Sequence, residues 1–168
     1  MTRSANEVVL LPGQGRSTWL GEGVFTVKAG PEPTLGAYSL SELTEPPGEG
    51  PPLHSHADEE EGFYVLEGEV VLRVGDQTLL ATQGAFVFVP RDMPHTYRVV
   101  GDRPARLLII ISPPGFEEAF FEAGVTPEGP GLPPGRVRSL SEEEWRALDA
   151  KYNRTVLGPP IVPDEVSG

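Results

Sequence analysis

Short apolar runs separated by turn residues dominate the chain from about Val8 to Ser112. The runs are rich in Val, Ile, Phe and Tyr, and Gly, Pro or Asp interrupts them at short intervals, which is typical of β-strands joined by turns. Strands at this spacing predict an all-β sandwich or barrel. The predicted strands are Gly23–Lys28, Gly36–Leu43, Glu61–Leu66, Glu69–Val74, Gln77–Ala81, Ala85–Val89, His95–Val100 and Arg106–Ser112.

The spacing of the apolar residues changes after Pro114. Apolar side chains recur at helical spacing over residues 116–123, and Ser141 with Glu144 has the spacing of a capping box that begins a second helix. The segment Gly158–Gly168 contains three prolines and is expected to be extended. The sequence therefore predicts two short helices and a tail after the β-rich region.

A length of 168 residues fits one domain. Within that domain we expect residues 1–112 to form the barrel with its N-terminal strands. We expect residues 113–168 to pack the helices and the tail against it.

Charge and composition exclude several classes of partner. The net charge is −12 and the 13 Lys and Arg residues do not cluster, so neither nucleic acid nor a membrane is expected as a partner. The chain has no cysteine, which excludes disulfides, thiolate metal sites and cysteine nucleophiles. The first residues show no apolar leader, and the longest aliphatic run, Leu107–Ile111, is too short to span a membrane. We therefore expect a cytoplasmic protein that acts on a small molecule.

The three histidines of the chain are His54, His56 and His95. On a strand, residues two positions apart point to the same face, so His54 and His56 would present two imidazoles side by side. Glu61 begins the next predicted strand and His95 opens a later one, so closure into a barrel would bring four donors together. Such donors suit Fe, Mn, Ni, Co, Cu or Zn rather than Ca or Mg. The alternative is that these are ordinary core or loop residues satisfied by hydrogen bonds.

Two segments around these residues resemble the two motifs of the cupin superfamily. Gly48–Gly68 matches the first motif in its glycines, its histidine pair and its glutamate, and Gly84–His95 resembles the second. Residues 69–83 separate them, the compact spacing typical of microbial members. The resemblance implies a cupin double-stranded β-helix (jelly-roll) barrel that holds one divalent transition metal ion. The implied ligands are His54, His56, Glu61 and His95.

The second motif departs from the family pattern at two positions. Asp92 stands where the family usually has Gly, and Val99 where it often has Asn. Asp tolerates the left-handed conformation better than most residues, so we expect the turn to be kept. Val99 is expected to alter the pocket wall.

The resemblance extends beyond the motifs to single-domain cupins that are similar to quercetin 2,3-dioxygenase. It is carried by Thr18–Gly21, Ser112–Phe121 and Leu157–Pro160. It implies a metal-dependent dioxygenase that acts on a small hydroxylated aromatic or enediol substrate, with Glu61 as the base. It also implies a homodimer.

Two other functions stay open, because cupins carry many reactions. One is a metal-assisted isomerase or lyase for a sugar or keto acid, which predicts cations in the pocket; Arg73, Arg91 and Arg98 are the nearby candidates. The other is a non-enzymatic binding or sensing module. The candidates for pocket lining are Phe63, Val65, Phe86, Phe88, Tyr97 and Val99.

Overall fold

A computed structural model describes residues 7–162. It is mainly β, as predicted, with eleven strands and two helices in the described part. The strands are β1 (Arg16–Leu20), β2 (Gly23–Ala29), β3 (Ser39–Glu45), β4 (Leu53–His56), β5 (Glu60–Glu67), β6 (Glu69–Val74), β7 (Gln77–Thr82), β8 (Phe86–Val89), β9 (His95–Val100), β10 (Ala105–Ser112) and β11 (Arg154–Gly158). The helices are α1 (Glu117–Ala123) and α2 (Glu142–Lys151).

The strands form two antiparallel sheets that face each other. One sheet has the order β1-β2-β3-β10-β5-β8 and the other has the order β11-β4-β9-β6-β7. Consecutive strands change from one sheet to the other several times, as in a jelly roll. This arrangement confirms the predicted all-β barrel with two short C-terminal helices.

The core lies between the two sheets, and strand alternation decides which residues enter it. In β10 the residues Leu107, Ile109 and Ile111 are buried, while the intervening positions are more exposed. The helices contribute to the same core through Phe116 in front of α1 and Leu148 of α2. Neither helix has the length and apolar character that a membrane span requires.

The eight predicted strands are present, with small differences at their ends. The three further strands, β1, β4 and β11, are not among the predicted ranges, although the side-by-side histidines already imply an extended segment at β4. β11 has three exposed central residues and lies on an edge, so its sequence lacks the apolar alternation that marks a half-buried strand. The predicted extended tail begins within β11, and its last part, residues 163–168, lies outside the described residues.

The second helix begins as predicted. The Ser141 side chain accepts a hydrogen bond from the Glu144 N–H at 3.2 Å, and the Glu144 carboxylate accepts one from the Ser141 N–H at 2.7 Å. This capping box fixes where α2 begins, and α2 then lies beside β11.

Candidate metal centre

Three strands bring the four expected donors together. His54 and His56 lie on the inward face of β4, whose only described pairing with β9 places His54 opposite His95. Glu61 reaches the same point from β5 in the other sheet. All four side chains are buried. The cluster therefore joins the two sheets across the interior of the barrel.

The donor atoms are close enough to share one ion. One nitrogen or oxygen from each residue lies within 4.8 Å of the others. Glu61 Oε2 is 2.7 Å from His95 Nε2 and 3.5 Å from His56 Nε2. Three imidazoles and a carboxylate are a donor set for transition metals.

Backbone carbonyls orient two of the imidazoles. His54 Nδ1 lies 2.8 Å from the Pro52 carbonyl oxygen, and His95 Nδ1 lies 3.0 Å from that of Met93. A carbonyl oxygen only accepts, so each Nδ1 must carry the proton. In the neutral rings this leaves the Nε2 lone pairs free, as metal-bound histidines require. His95 Nε2 lies 2.7 Å from Glu61 Oε2, a separation that requires either a proton, in a hydrogen bond donated by His95, or a metal ion between the two atoms.

His56 supplies a second observation that fits a cation at this point. Both of its ring nitrogens are buried without a hydrogen-bond partner among the described residues. Its Nδ1 lies 3.8 Å from Glu59 Oε2, which is too long for a hydrogen bond. Buried polar atoms are rarely left unpaired, so the residues present fit a bound metal ion.

The electrostatics keep the donors in the forms that bind metal. Burial lowers the pKa of His54 to about 3, and the neighbouring His95 contributes to this effect. Burial likewise lowers the pKa of His56 to about 4. Burial alone would raise the pKa of Glu61, but its hydrogen bond with His95 and the surrounding histidines outweigh this and lower it to about 2. His54 and His56 are therefore neutral, and Glu61 is ionised, near pH 7.

The turn before β9 keeps its shape despite the departure at Asp92. Asp92 has a φ of 60°, the left-handed conformation expected for it. Its N–H donates a hydrogen bond to the His56 carbonyl oxygen at 2.7 Å. The turn of the second motif is thereby joined to the strand that carries two donors.

A cavity of about 500 Å³ opens onto the cluster. His54 and Glu61 line it, together with apolar side chains from both sheets and from the segment before α1. Phe63 and Tyr97, two of the expected lining residues, belong to the wall. Phe116 lies against His56, with ring centroids 4.2 Å apart. The apolar part of the wall includes Leu20, Leu43, Phe63, Ile109, Phe116 and Phe120.

Four of the expected lining residues lie elsewhere. Val65 and Val99 are buried in the core but are not part of the cavity wall. Phe86 and Phe88 are 58% and 52% exposed, so their assignment to the pocket is corrected. The physical reason is the pleat of β8, which turns its other two residues, both valines, toward the interior.

The cavity also has charged lining residues, which come from loops, from α2 and from β11. Each of its three arginines contacts a carboxylate: Arg136 contacts Glu49, Arg146 contacts Glu142, and Arg154 Nε lies 2.8 Å from Asp149 Oδ1. The arginines named in the sequence lie outside the cavity. Arg73 and Arg98 donate to backbone carbonyls, and Arg91 lies near Glu60.

Sequence reasoning missed one polar pair in the wall. Glu45 and Tyr97 both line the cavity, and the Tyr97 hydroxyl donates to Glu45 Oε2 at 2.9 Å. The sequence offered one signal for this pair. Glu45 lies two residues after Leu43 on β3, so strand alternation places its carboxyl on the same inward face.

Comparison with known proteins agrees with this fold and cluster. The family model described as "Cupin domain" matches residues 41–111, which contain all four donors. The chain belongs to the cupin family.

Among its relatives, quercetin 2,3-dioxygenase of Bacillus subtilis is 32% identical over 95 residues, which cover 56% of this chain and 28% of that protein. The polyketide synthase CurC of Streptomyces cyaneus is 41% identical over 69 residues, 40% of this chain and 44% of the relative. The tetracenomycin polyketide synthase protein TcmJ of Streptomyces glaucescens is 30% identical over 105 residues, 60% and 70% of the two chains. The matched region of this chain thus spans less than half of the length of quercetin 2,3-dioxygenase and of CurC.

Solved structures show the same fold at low sequence identity. An RmlC-like cupin from Shewanella frigidimarina superimposes with a TM-score of 0.56 and 19% identity, covering 64% of this chain and 92% of the other. A predicted oxalate decarboxylase from Thermotoga maritima gives a TM-score of 0.54 and 20% identity, with 67% and 98% covered. These similarities establish the cupin barrel and do not extend to the reaction.

Proposed function

We propose that this protein is a metal-dependent dioxygenase that acts on a small hydroxylated aromatic or enediol compound. The proposal rests on one observation: the four-donor cluster faces a cavity whose inner wall is mostly apolar. Such a wall accommodates a flat, largely uncharged ring system, and the cluster receives its oxygen atoms. A divalent transition metal bound there supplies a Lewis acid that stabilises a deprotonated substrate oxygen.

Charge in the cavity favours this reading over an isomerase or lyase that acts on a keto acid. A substrate carboxylate would need a free cation, but the three arginines that line the cavity already contact Glu49, Glu142 and Asp149. Beyond these arginines, the described residues of the cavity wall supply no further Lys or Arg, and they include the acids Glu45 and Glu61. A carboxylate that bound to one of these arginines would therefore have to displace an existing ion pair.

Glu61 is the proposed catalytic residue. It lines the cavity beside His54, so its carboxylate can accept the proton of a substrate hydroxyl. The substrate anion then gives electrons to O2, both oxygen atoms enter the products, and the proton on Glu61 returns to a product oxygen. His54 and His95 hold fixed orientations through Pro52 and Met93.

The relatives support an aromatic substrate. One is named for a dioxygenase of quercetin, and two are named as polyketide synthase proteins. The second pair of names supports a second candidate, a non-oxidative role in which the same cavity binds or converts a polyketide. Consumption of O2 separates the two candidates.

The test begins with the metal content of the purified protein, measured by elemental mass spectrometry. We expect about one Fe, Mn, Ni, Co, Cu or Zn per chain in the wild type, and loss of that metal in His95→Ala. Tyr64→Phe is the matched control, because Tyr64 is 40% exposed on the outer face of β5. Absence of metal from the wild type, even after reconstitution, contradicts the proposed site.

Oxygen uptake is then measured with flavonols and other enediols. Uptake that depends on both metal and substrate supports the dioxygenase. Tight binding of these compounds to the metal-loaded protein without any uptake would instead assign a non-oxidative role.

We also propose that the protein lies in the cytoplasm. A further proposal is that two copies of the chain form a homodimer. β8 forms an edge of its sheet and exposes Phe86 and Phe88, and edges of this kind are usually covered. Light scattering coupled to size exclusion is expected to give twice the chain mass for the wild type. Phe88→Glu should give the mass of a single chain, whereas Leu80→Glu on the other sheet should not.

A further inference from the structure

A carboxyl group lies in the wall of the cavity where only apolar contacts are expected. Glu45 is the last residue of β3 and follows Ser39, Ser41 and Leu43 on the inward face. Its single described hydrogen bond is the one from the Tyr97 hydroxyl to Oε2, at 2.9 Å. The other oxygen, Oε1, has no hydrogen-bond partner among the described residues. Burying a carboxyl without a cation costs free energy, so the presence of Glu45 in this wall suggests that its carboxyl has a function.

Tyr97 ties this carboxyl to the metal cluster. Tyr97 lies two residues after His95 on β9, so both side chains point to the same face, about 7 Å apart along the strand. Phe63 fills the space between them, with its ring centroid 6.1 Å from that of His95 and 6.0 Å from that of Tyr97. The cavity thus has two polar points separated by an aromatic surface.

We propose that Glu45 and Tyr97 form a second anchor for the ligand, which holds a hydroxyl group at the end remote from the cluster of His54, His56, Glu61 and His95. This inference rests on the proposed function, and it narrows the substrate class to polyhydroxylated aromatic compounds. The first oxygen of the ligand binds at the cluster, its ring lies against Phe63, and a distant hydroxyl reaches Glu45.

The ionisation of Glu45 agrees with this role. Burial raises its pKa to about 7, although the hydrogen bond from Tyr97 opposes the rise, and the nearby Glu49 carboxylate adds to it. Near neutral pH the protonated carboxyl is therefore well populated. A carboxylic acid both donates and accepts, and so does a phenolic hydroxyl, so the two groups are complementary.

The experiment compares two probes that share the metal-binding group. Parent flavonol has its hydroxyl beside the ketone, whereas quercetin adds hydroxyls on the outer rings. Dissociation constants are measured by absorbance titration of the metal-loaded protein without O2, so that no turnover occurs. In the wild type we expect quercetin to bind about tenfold more tightly than flavonol, the effect of about 1.4 kcal/mol of hydrogen bonding.

Variants identify the anchor. Tyr97→Phe and Glu45→Leu should reduce this preference to less than about threefold, while flavonol binding changes little. Glu45→Gln keeps a donor and an acceptor and should keep most of the preference. The controls are Tyr64→Phe and Glu69→Gln, whose side chains are exposed on the outside of the barrel. An equal preference in Glu45→Leu and the wild type, or no preference in the wild type, overturns the inference.

The outcomes also separate this inference from the proposed reaction. If the preference for quercetin over flavonol depends on Glu45 and Tyr97 but no O2 is taken up in air, the anchor is supported and the dioxygenase is rejected. If O2 is taken up but the variants do not alter the preference for quercetin, the dioxygenase is supported and the anchor is rejected. Failure of the wild type to bind either flavonol rejects both.

Discussion

His54 and His95 are direct partners in the β4–β9 pairing, and their ring centroids lie 4.3 Å apart. Each ring places Nδ1 against the backbone carbonyl of the residue two positions earlier. In each of the two motifs, a contact between Nδ1 and a nearby backbone carbonyl oxygen therefore orients the imidazole so that Nε2 points into the barrel.

The tautomers of these two histidines can be measured directly. We expect His54 to carry its proton on Nδ1 in the metal-free protein near pH 7, because the Pro52 carbonyl accepts at that nitrogen, whereas His95 should carry one on Nε2, which faces the Glu61 carboxylate. Long-range nitrogen–proton NMR spectra distinguish the tautomers, and three histidines give an easily assigned spectrum. A proton on Nε2 of His54 would contradict the geometry described here.

The acid–base behaviour of the cluster gives a second prediction. Because burial lowers the pKa of His54 to about 3 and of His56 to about 4, both rings should stay neutral in the metal-free protein at pH 5. The same NMR spectra, recorded from pH 7.5 to pH 5, should show no titration of these two residues. In the unfolded chain they take up protons below pH about 6.5, so their stabilising contribution diminishes as the pH falls through this window. Titration of either ring near pH 6.5 would show that it is solvated.

The carboxylate behind His56 should strengthen metal binding. Glu59 Oε2 lies 3.8 Å from His56 Nδ1, and a metal on the other ring nitrogen would favour a hydrogen bond there. Glu59→Gln is expected to lower metal affinity about 10- to 100-fold in competition with a chelator. Glu60→Gln is the matched control, since Glu60 is adjacent and lies near Arg91 at the surface. Equal losses in both variants would indicate a general charge effect.

The Glu45 carboxyl should make stability depend on pH. Its pKa of about 7 in the folded state exceeds the unfolded value, so the unfolded state loses its proton first as the pH rises. The native state is therefore penalised increasingly between pH about 4.5 and 7. Relative to the wild type, Glu45→Gln should gain roughly 1–3 kcal/mol in free energy of unfolding between pH 4.5 and pH 8. Urea denaturation at both pH values measures this, and Glu69→Gln should show no such trend.

Two glycines of the first motif should respond differently to alanine. A Cβ at Gly50 would collide with the carbonyl oxygen of Tyr97, which the β-sheet holds in place. Gly48 has a φ of 91° but open space around its Cβ position. Gly50→Ala should cost roughly 3 kcal/mol or more of stability, and Gly48→Ala about 1–2 kcal/mol. A Gly50→Ala protein as stable as Gly48→Ala would show that the segment can move away from β9.

The sequence predicts the donors well because their signal is local. His54 and His56 share a strand face by simple alternation, and the motif around Glu61 and His95 places the other two. The strands from β5 to β10 follow for the same reason, since each has apolar residues flanked by turns. Asp92 also behaves as its residue type suggests.

The rest depends on contacts between distant parts of the chain. In β8 all four residues are apolar, so no alternation indicates that Phe86 and Phe88 face outward. The hydrogen bond between Glu45 and Tyr97 joins residues from different sheets and leaves no mark in either segment. β11 is defined by its partner β4 rather than by its own exposed sequence.

The pairing of β4 with β11 has a consequence for how the protein is made. A nascent chain that has emerged through β10 already contains all four donor residues. The strand that carries two of them still lacks its main hydrogen-bonded neighbour, because β11 follows β10 and both helices in the chain. Ribosome-bound intermediates of this length would hold the donors before the scaffold that orients them is complete, so the ion would be acquired only after β11 has paired with β4.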